Sequence, residues 1–126
     1  MKTQYRAVVV GGGVVGTSLL YHLCKMGWED SVLLEKLELT SGSTWHAAGL
    51  LPLFNMSYSV GKIHKYSVDL YQKLEEETGQ PVSFHKNGNL RLARSQERMD
   101  EYRRYSGTAS TIGVPYHLIG PEEIKK

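Results

Sequence analysis

The chain has 126 residues, 15 basic and 13 acidic side chains for a formal charge of +2, and 40% hydrophobic residues. That suits one small globular domain and excludes a disordered chain, and the even spread of charge gives no reason to expect nucleic acid or a membrane surface as a partner. One cysteine, no apolar run near the roughly 20 residues that cross a bilayer, and no apolar leader in residues 1–6 together predict a cytoplasmic protein, or a matrix protein of mitochondria whose presequence has been removed.

Residues 5–10 (YRAVVV) are short, β-branched and unbroken, which predicts a parallel strand buried on both faces. The strand stops at Gly11, Gly12 and Gly13. Residues 14–26 read as a helix of mainly apolar and small side chains, closed by Gly27 just past its end. Cys24 within it is expected to be a small core residue. Residues 31–34 (SVLL) predict a second strand, ending at Glu35. Strand, glycine turn, helix and strand over residues 4–36 compose a βαβ unit.

A loop of small and hydroxyl residues follows at 40–50. Beyond Pro52, the residues Val60, Ile63, Tyr66, Leu70 and Leu74 step by three and four, a helical stripe expected to face the core. Lys65, Asp69 and Lys73 fit its wet side, Gly79 its end, and Glu75, Glu76 and Glu77 a solvated run. Residues 82–84 and 90–93 flank Asn87-Gly88, a hairpin signal. Ser95 is expected to cap a helix from Gln96 to about Tyr105, with Met99, Tyr102 and Tyr105 on one side. A short strand at 116–119 and a helix opened by Gly120-Pro121 close the pattern. Residues 57–126 thus look like the beginning of a second, mixed α+β layer.

Gly11-x-Gly13-x-x-Gly16, with Val14 and Val15 between the last two glycines, has the spacing of a dinucleotide-binding turn. The first glycine turns the chain off the strand, the second lets the backbone approach a pyrophosphate, and the third lets helix and strand pack closely. The helix then aims its unpaired amides and positive dipole end at the phosphates. Glu35, closing the next strand 19 residues beyond Gly16, can accept hydrogen bonds from a ribose and would repel a 2′-phosphate. The plainer alternative is a structural turn with a surface acid. This spacing does not separate FAD from NAD.

The sequence TSGSTWHAAGL at 40–50, with VVVGGGVVG at 8–16 and VLLEK at 32–36, resembles the dimethylglycine and sarcosine dehydrogenase group of the D-amino-acid-oxidase-like flavoproteins. LYQKLEEETGQ (70–80), FHKNGNLRLA (84–93) and RMDEYRR (98–104) extend the likeness over essentially the whole chain, and WHAAGL is its most specific part. The resemblance implies an α/β fold: a Rossmann-type FAD-binding βαβ unit with the start of a substrate region. It implies FAD as cofactor, joined through its 8α-methyl carbon to the histidine that matches His46. A neutral imidazole is a nucleophile near physiological pH, and the 8α carbon is electrophilic in one tautomer of the flavin. The residues expected about the cofactor are Gly11, Gly13, Val14, Val15, Gly16, Glu35, Lys36, Gly42, Ser43, Thr44, Trp45, His46, Ala47, Ala48, Gly49 and Leu50. Gly42, Ala47, Ala48 and Gly49 would leave room for the dinucleotide, and Ser43 and Thr44 would offer hydroxyls to its phosphates.

The group oxidises N-methyl amines, so the resemblance implies a small N-methylated amino acid such as dimethylglycine or sarcosine as substrate. It leaves the electron acceptor open. Members are several-fold longer, and their folate-binding region and substrate-contacting residues lie downstream, so no catalytic residue is assigned and tetrahydrofolate belongs to a region with no counterpart here. The chain is accordingly expected to be an N-terminal fragment, inactive alone. Two other readings compete. A non-catalytic regulatory or interaction subunit of the same fold is disfavoured by the presence of His46, and a nicotinamide-dependent dehydrogenase would leave the 40–50 loop without a purpose. For His46 itself the alternative is a partly buried loop histidine beside a core Trp45. His22, His64, His85 and His117 show no metal-ligand spacing and are expected to be satisfied or solvated, while Tyr66, Tyr71, Tyr102 and Tyr105 are expected to pack.

Overall fold

A computed structural model describes residues 2–125. The backbone divides into two compact units, Met1–Leu50 and Leu51–Lys126. In the first, strand β1 (Ala7–Val10) leads through the glycine turn to helix α1 (Val14–Lys25) and returns to strand β2 (Ser31–Leu34). The two strands pair in parallel, Ala7 opposite Ser31 and Val10 opposite Leu34, and α1 packs on both. The helix ends in a Schellman motif: the Trp28 amide donates to the Leu23 carbonyl and that of Gly27 to Cys24, each at 2.9 Å. Gly27 sits at φ +82°, as the sequence leads one to expect. The Arg6 guanidinium lies 3.9 Å from the Trp28 ring centre and secures the return to β2.

Burial in this unit departs from expectation. Only Val9 of β1 is buried, while Val8 is half-exposed and Val10 is 83% exposed. Successive strand side chains alternate faces, and α1 covers just the face that carries Val9. Two covered faces need a layer on each side of the sheet, and the described residues of this unit supply one. Cys24 is likewise exposed and not a core residue.

The second unit is built on helices α2 (Tyr58–Thr78) and α3 (Gln96–Ile112), followed by the single turn α4 (Pro121–Ile124). The buried line of α2 runs through Gly61 and Val68, with His64 and Tyr71 half-buried. The expected stripe follows it only in part: Leu70 and Leu74 are half-buried, but Ile63 is 63% and Tyr66 53% exposed. The cause is Gly61. A Cβ there would stand 2.4 Å from Ile112 Cδ1, so the absent side chain lets α3 come closest where hydropathy registers nothing. His64 turns inward with this face, and its Nδ1 is buried without a partner among the described residues, neither satisfied nor solvated.

Helix α3 begins as expected, the Ser95 hydroxyl accepting from the Arg98 amide at 3.3 Å, but it runs on to Ile112 instead of stopping near Tyr105. The added turns bury Ala109 and Ile112. The Val114 amide then donates to the Ala109 carbonyl at 2.9 Å, which folds Val114 back onto both, and Leu53, Phe54 and Tyr116 close the cluster. The strands expected at 82–84, 90–93 and 116–119 do not form. Gly88 has a positive φ of +83°, yet no turn forms there, and Leu90 and Leu92 stand exposed without a ladder partner. Phe84 packs instead against Tyr71, ring centres 6.1 Å apart. Because the α2–α3 contact needs a residue without a side chain, Gly61→Val is expected to overpack it and lower stability by about 1–3 kcal/mol, read from the urea midpoint.

Candidate functional site: the glycine turn and the loop bound to it

The sharp exit from β1 places Gly11 at φ +104°, a conformation that L side chains rarely adopt. Its amide continues the ladder, donating to Leu34 O at 2.8 Å. Three residues into α1 the backbone passes so near this turn that a Cβ on Gly16 would stand 1.9 Å from Gly11 O. Only glycine fits there. The first turn of α1 is thereby held against the strand end, and the amides of Val14, Val15 and Gly16 have no acceptor within the helix. Gly13 is the residue before the first turn, extended at φ −78°, ψ 179°, and carries no side chain to cap it.

The cap comes from residue 44. The Val14 amide donates to Thr44 Oγ1 at 2.9 Å, and a Cβ on Gly13 would lie 3.0 Å from that same oxygen. A second tie binds the loop to the turn, from the Thr40 amide to Gly12 O at 3.0 Å. Between them the loop closes into a 3₁₀ turn, Ser43–His46, with the Ala47 amide bonded to Thr44 O. His46 is exposed on this turn, its ring 4.2 Å from that of Trp45, which is itself 67% exposed. His46 is thus not the partly buried histidine, nor Trp45 the core residue, that the plainer reading of this loop supposes.

Glu35 completes the turn from the β2 side. Its Oε2 accepts from the Gly12 amide at 2.6 Å and its Oε1 from the Leu37 amide at 3.0 Å. The Gly12 amide above all, then that of Leu37, holds the carboxyl below its ordinary 4.5. A carboxylate offers about four lone-pair sites, so both oxygens keep capacity for donors such as sugar hydroxyls. The interior of the turn is a cradle of backbone amides beside an ionised acid, a donor set that fits the pyrophosphate and ribose of a dinucleotide.

The geometry thus brings Gly11, Gly13, Val14, Gly16, Glu35 and Thr44 into one cluster. Val15, Lys36, Gly42, Ser43, Ala47, Ala48, Gly49 and Leu50 are solvent-exposed and make no side-chain hydrogen bond to this cluster among the described residues, and a Cβ on Gly42 or Gly49 would meet nothing within 4 Å. Two participants were not legible in the sequence. Leu39 packs over Gly12, where a Cβ would come within 2.5 Å of its Cδ2, and the backbone of Thr40 makes the second tie. A side-chain pattern carries no signal for either, since one contact is to a glycine and the other runs between backbones.

Two outcomes test this arrangement. Gly16→Ala sets a methyl against a backbone carbonyl that no rotamer can relieve, so the first unit is expected to lose its cooperative fold, read by circular dichroism melting and soluble yield. For Glu35, the depressed folded value means that its contribution is complete above the ordinary 4.5 and is lost as pH falls through the depressed one. Between about pH 7 and about pH 3, wild type should therefore lose more stability than Glu35→Gln, and their urea midpoints should converge at the acid end.

The same fold occurs in glycine oxidase from Bacillus cereus, at a TM-score of 0.70 and 21% identity over 97% of this chain and 35% of that one. Dimethylglycine dehydrogenase, mitochondrial, of Homo sapiens is 50% identical over 125 residues, covering 99% of this chain and 14% of the relative. Sarcosine dehydrogenase, mitochondrial, of Homo sapiens is 42% identical, and the mitochondrial pyruvate dehydrogenase phosphatase regulatory subunit of Mus musculus 39%, each again matched over 14% of its length. The chain therefore spans about a seventh of these relatives. With residues 6–126 matching the model of the FAD-dependent oxidoreductase (DAO) family, the chain belongs to that family.

Proposed function

We propose that these residues form the cofactor-binding N-terminal part of an oxidoreductase that demethylates a small N-methylated amino acid, dimethylglycine first and sarcosine next, with FAD held covalently at His46. The observation that supports this reading is the double tie to the glycine turn of the 40–50 loop, on which His46 is exposed. FAD supplies the acceptor for a hydride equivalent from an N-methyl carbon. The chain's own residues would do the holding: the Val15 and Gly16 amides, next to the capped Val14, receive phosphate, Glu35 receives the ribose, and the loop presents His46. The 50% identity to a dimethylglycine dehydrogenase supports the substrate class, and the mitochondrial relatives support that compartment over the cytoplasm.

A second reading has an observation of its own, the 39% identity to a phosphatase regulatory subunit. It needs no reactive histidine, whereas His46 is present and exposed. Acid precipitation of the full-length gene product decides between them. Yellow flavin is expected to stay with the protein, and His46→Ala to release it while still binding FAD reversibly. Colour retained by the variant would place the attachment elsewhere, and a colourless wild type that turns over neither dimethylglycine nor sarcosine would favour the regulatory subunit.

A further inference from the structure

Helix α1 has a problem that its own sequence cannot solve. The residue before its first turn must be glycine to leave the cradle open, yet that is the position where a Ser, Thr, Asp or Asn side chain would ordinarily cap the free amides. Gly13 supplies no cap. The structure shows the deficit met from 30 residues further along, by Thr44 Oγ1 on the Val14 amide at 2.9 Å. Thr44 is also the second residue of the 3₁₀ turn that ends at His46. One hydroxyl therefore joins the first turn of the dinucleotide helix to the loop that carries the histidine.

We propose that Thr44 is a positioning residue: its hydroxyl caps α1 from a distance and in doing so registers His46 over the glycine turn. This rests on the reading of His46 as the flavin attachment point, but the cap itself does not. Thr44 is held in turn by its surroundings. The Thr40 amide on Gly12 O fixes the approach of the loop, and the Ala47 amide on Thr44 O closes the turn behind it. Its hydroxyl is thus presented by the loop's own backbone bonds, leaving only the bond to Val14 to tie residue 44 to the helix.

The test uses the full-length gene product with Thr44→Ala, Thr44→Val and Thr44→Ser. Hydrogen exchange of the segment containing Val14 is expected to quicken about tenfold in the Ala and Val variants, the size of a lost helix cap, and to recover in Thr44→Ser. At saturating FAD, the acid-stable share of the bound flavin is expected to fall severalfold in Ala and Val and to return in Ser. A role in stability alone would leave that share unchanged once the site is full. Wild-type exchange in Thr44→Ala overturns the cap, and accelerated exchange with an undiminished acid-stable share overturns the positioning role. A wild type with no acid-stable flavin overturns the attachment reading and, with it, the positioning of His46, while the exchange result still decides the cap.

Discussion

No side chain fits between the first turn of α1 and the carbonyl of Gly11. A Cβ on Gly16 would be 1.9 Å from that oxygen, and everything else in the first unit is arranged around this approach. It brings the helix N-terminus to the end of β1, leaves unpaired amides at the mouth of the turn, and allows Glu35 to reach across and bind the Gly12 amide. The 40–50 loop then has a fixed edge to lie on. Remove the close approach and the cradle, the acid and the histidine loop lose their common reference.

How far the sequence discloses this depends on whether a feature is local. The βαβ unit was readable because each part carries its own signal: a β-branched run, glycines at fixed offsets, a glycine past the helix and an acid closing the second strand. β2 falls on Ser31–Leu34 as read, and α2 ends at Gly79 as read. The ties between Thr44 and Val14 and between Thr40 and Gly12 span about 30 residues and involve backbone groups on at least one side, so composition and spacing are silent about them. The family likeness pointed to the loop, but its attachment to the helix is a product of the fold.

The second unit shows the opposite failure. Hydropathy puts the inward face of α2 on Val60, Ile63, Tyr66, Leu70 and Leu74, of which only the last two are half-buried, whereas a tight approach is made by Gly61 against Ile112. Hydrophobic periodicity locates the large side chains, and here the contact is made where there is none. The hairpin signal at Asn87-Gly88 fails as well: Gly88 takes a positive φ, but residues 81–94 form neither turn nor strand, since a ladder needs a partner for each backbone group. α3 outran its expected end because Ala109 and Ile112 are paid for by burial, which overrides the weak helix preference of the intervening Gly, Ser and Thr residues.

The groups that fit a dinucleotide here are backbone amides, one carboxylate and the dipole end of a helix, and none of them distinguishes one dinucleotide from another. Selectivity under the proposed function rests on the loop. Within these residues Val15, Trp45 and His46 are exposed, as is the face of β1 that carries Val8 and Val10. The hydroxyl of Thr44 answers the one physical difficulty this geometry creates, a helix start whose glycine has no side chain with which to cap it.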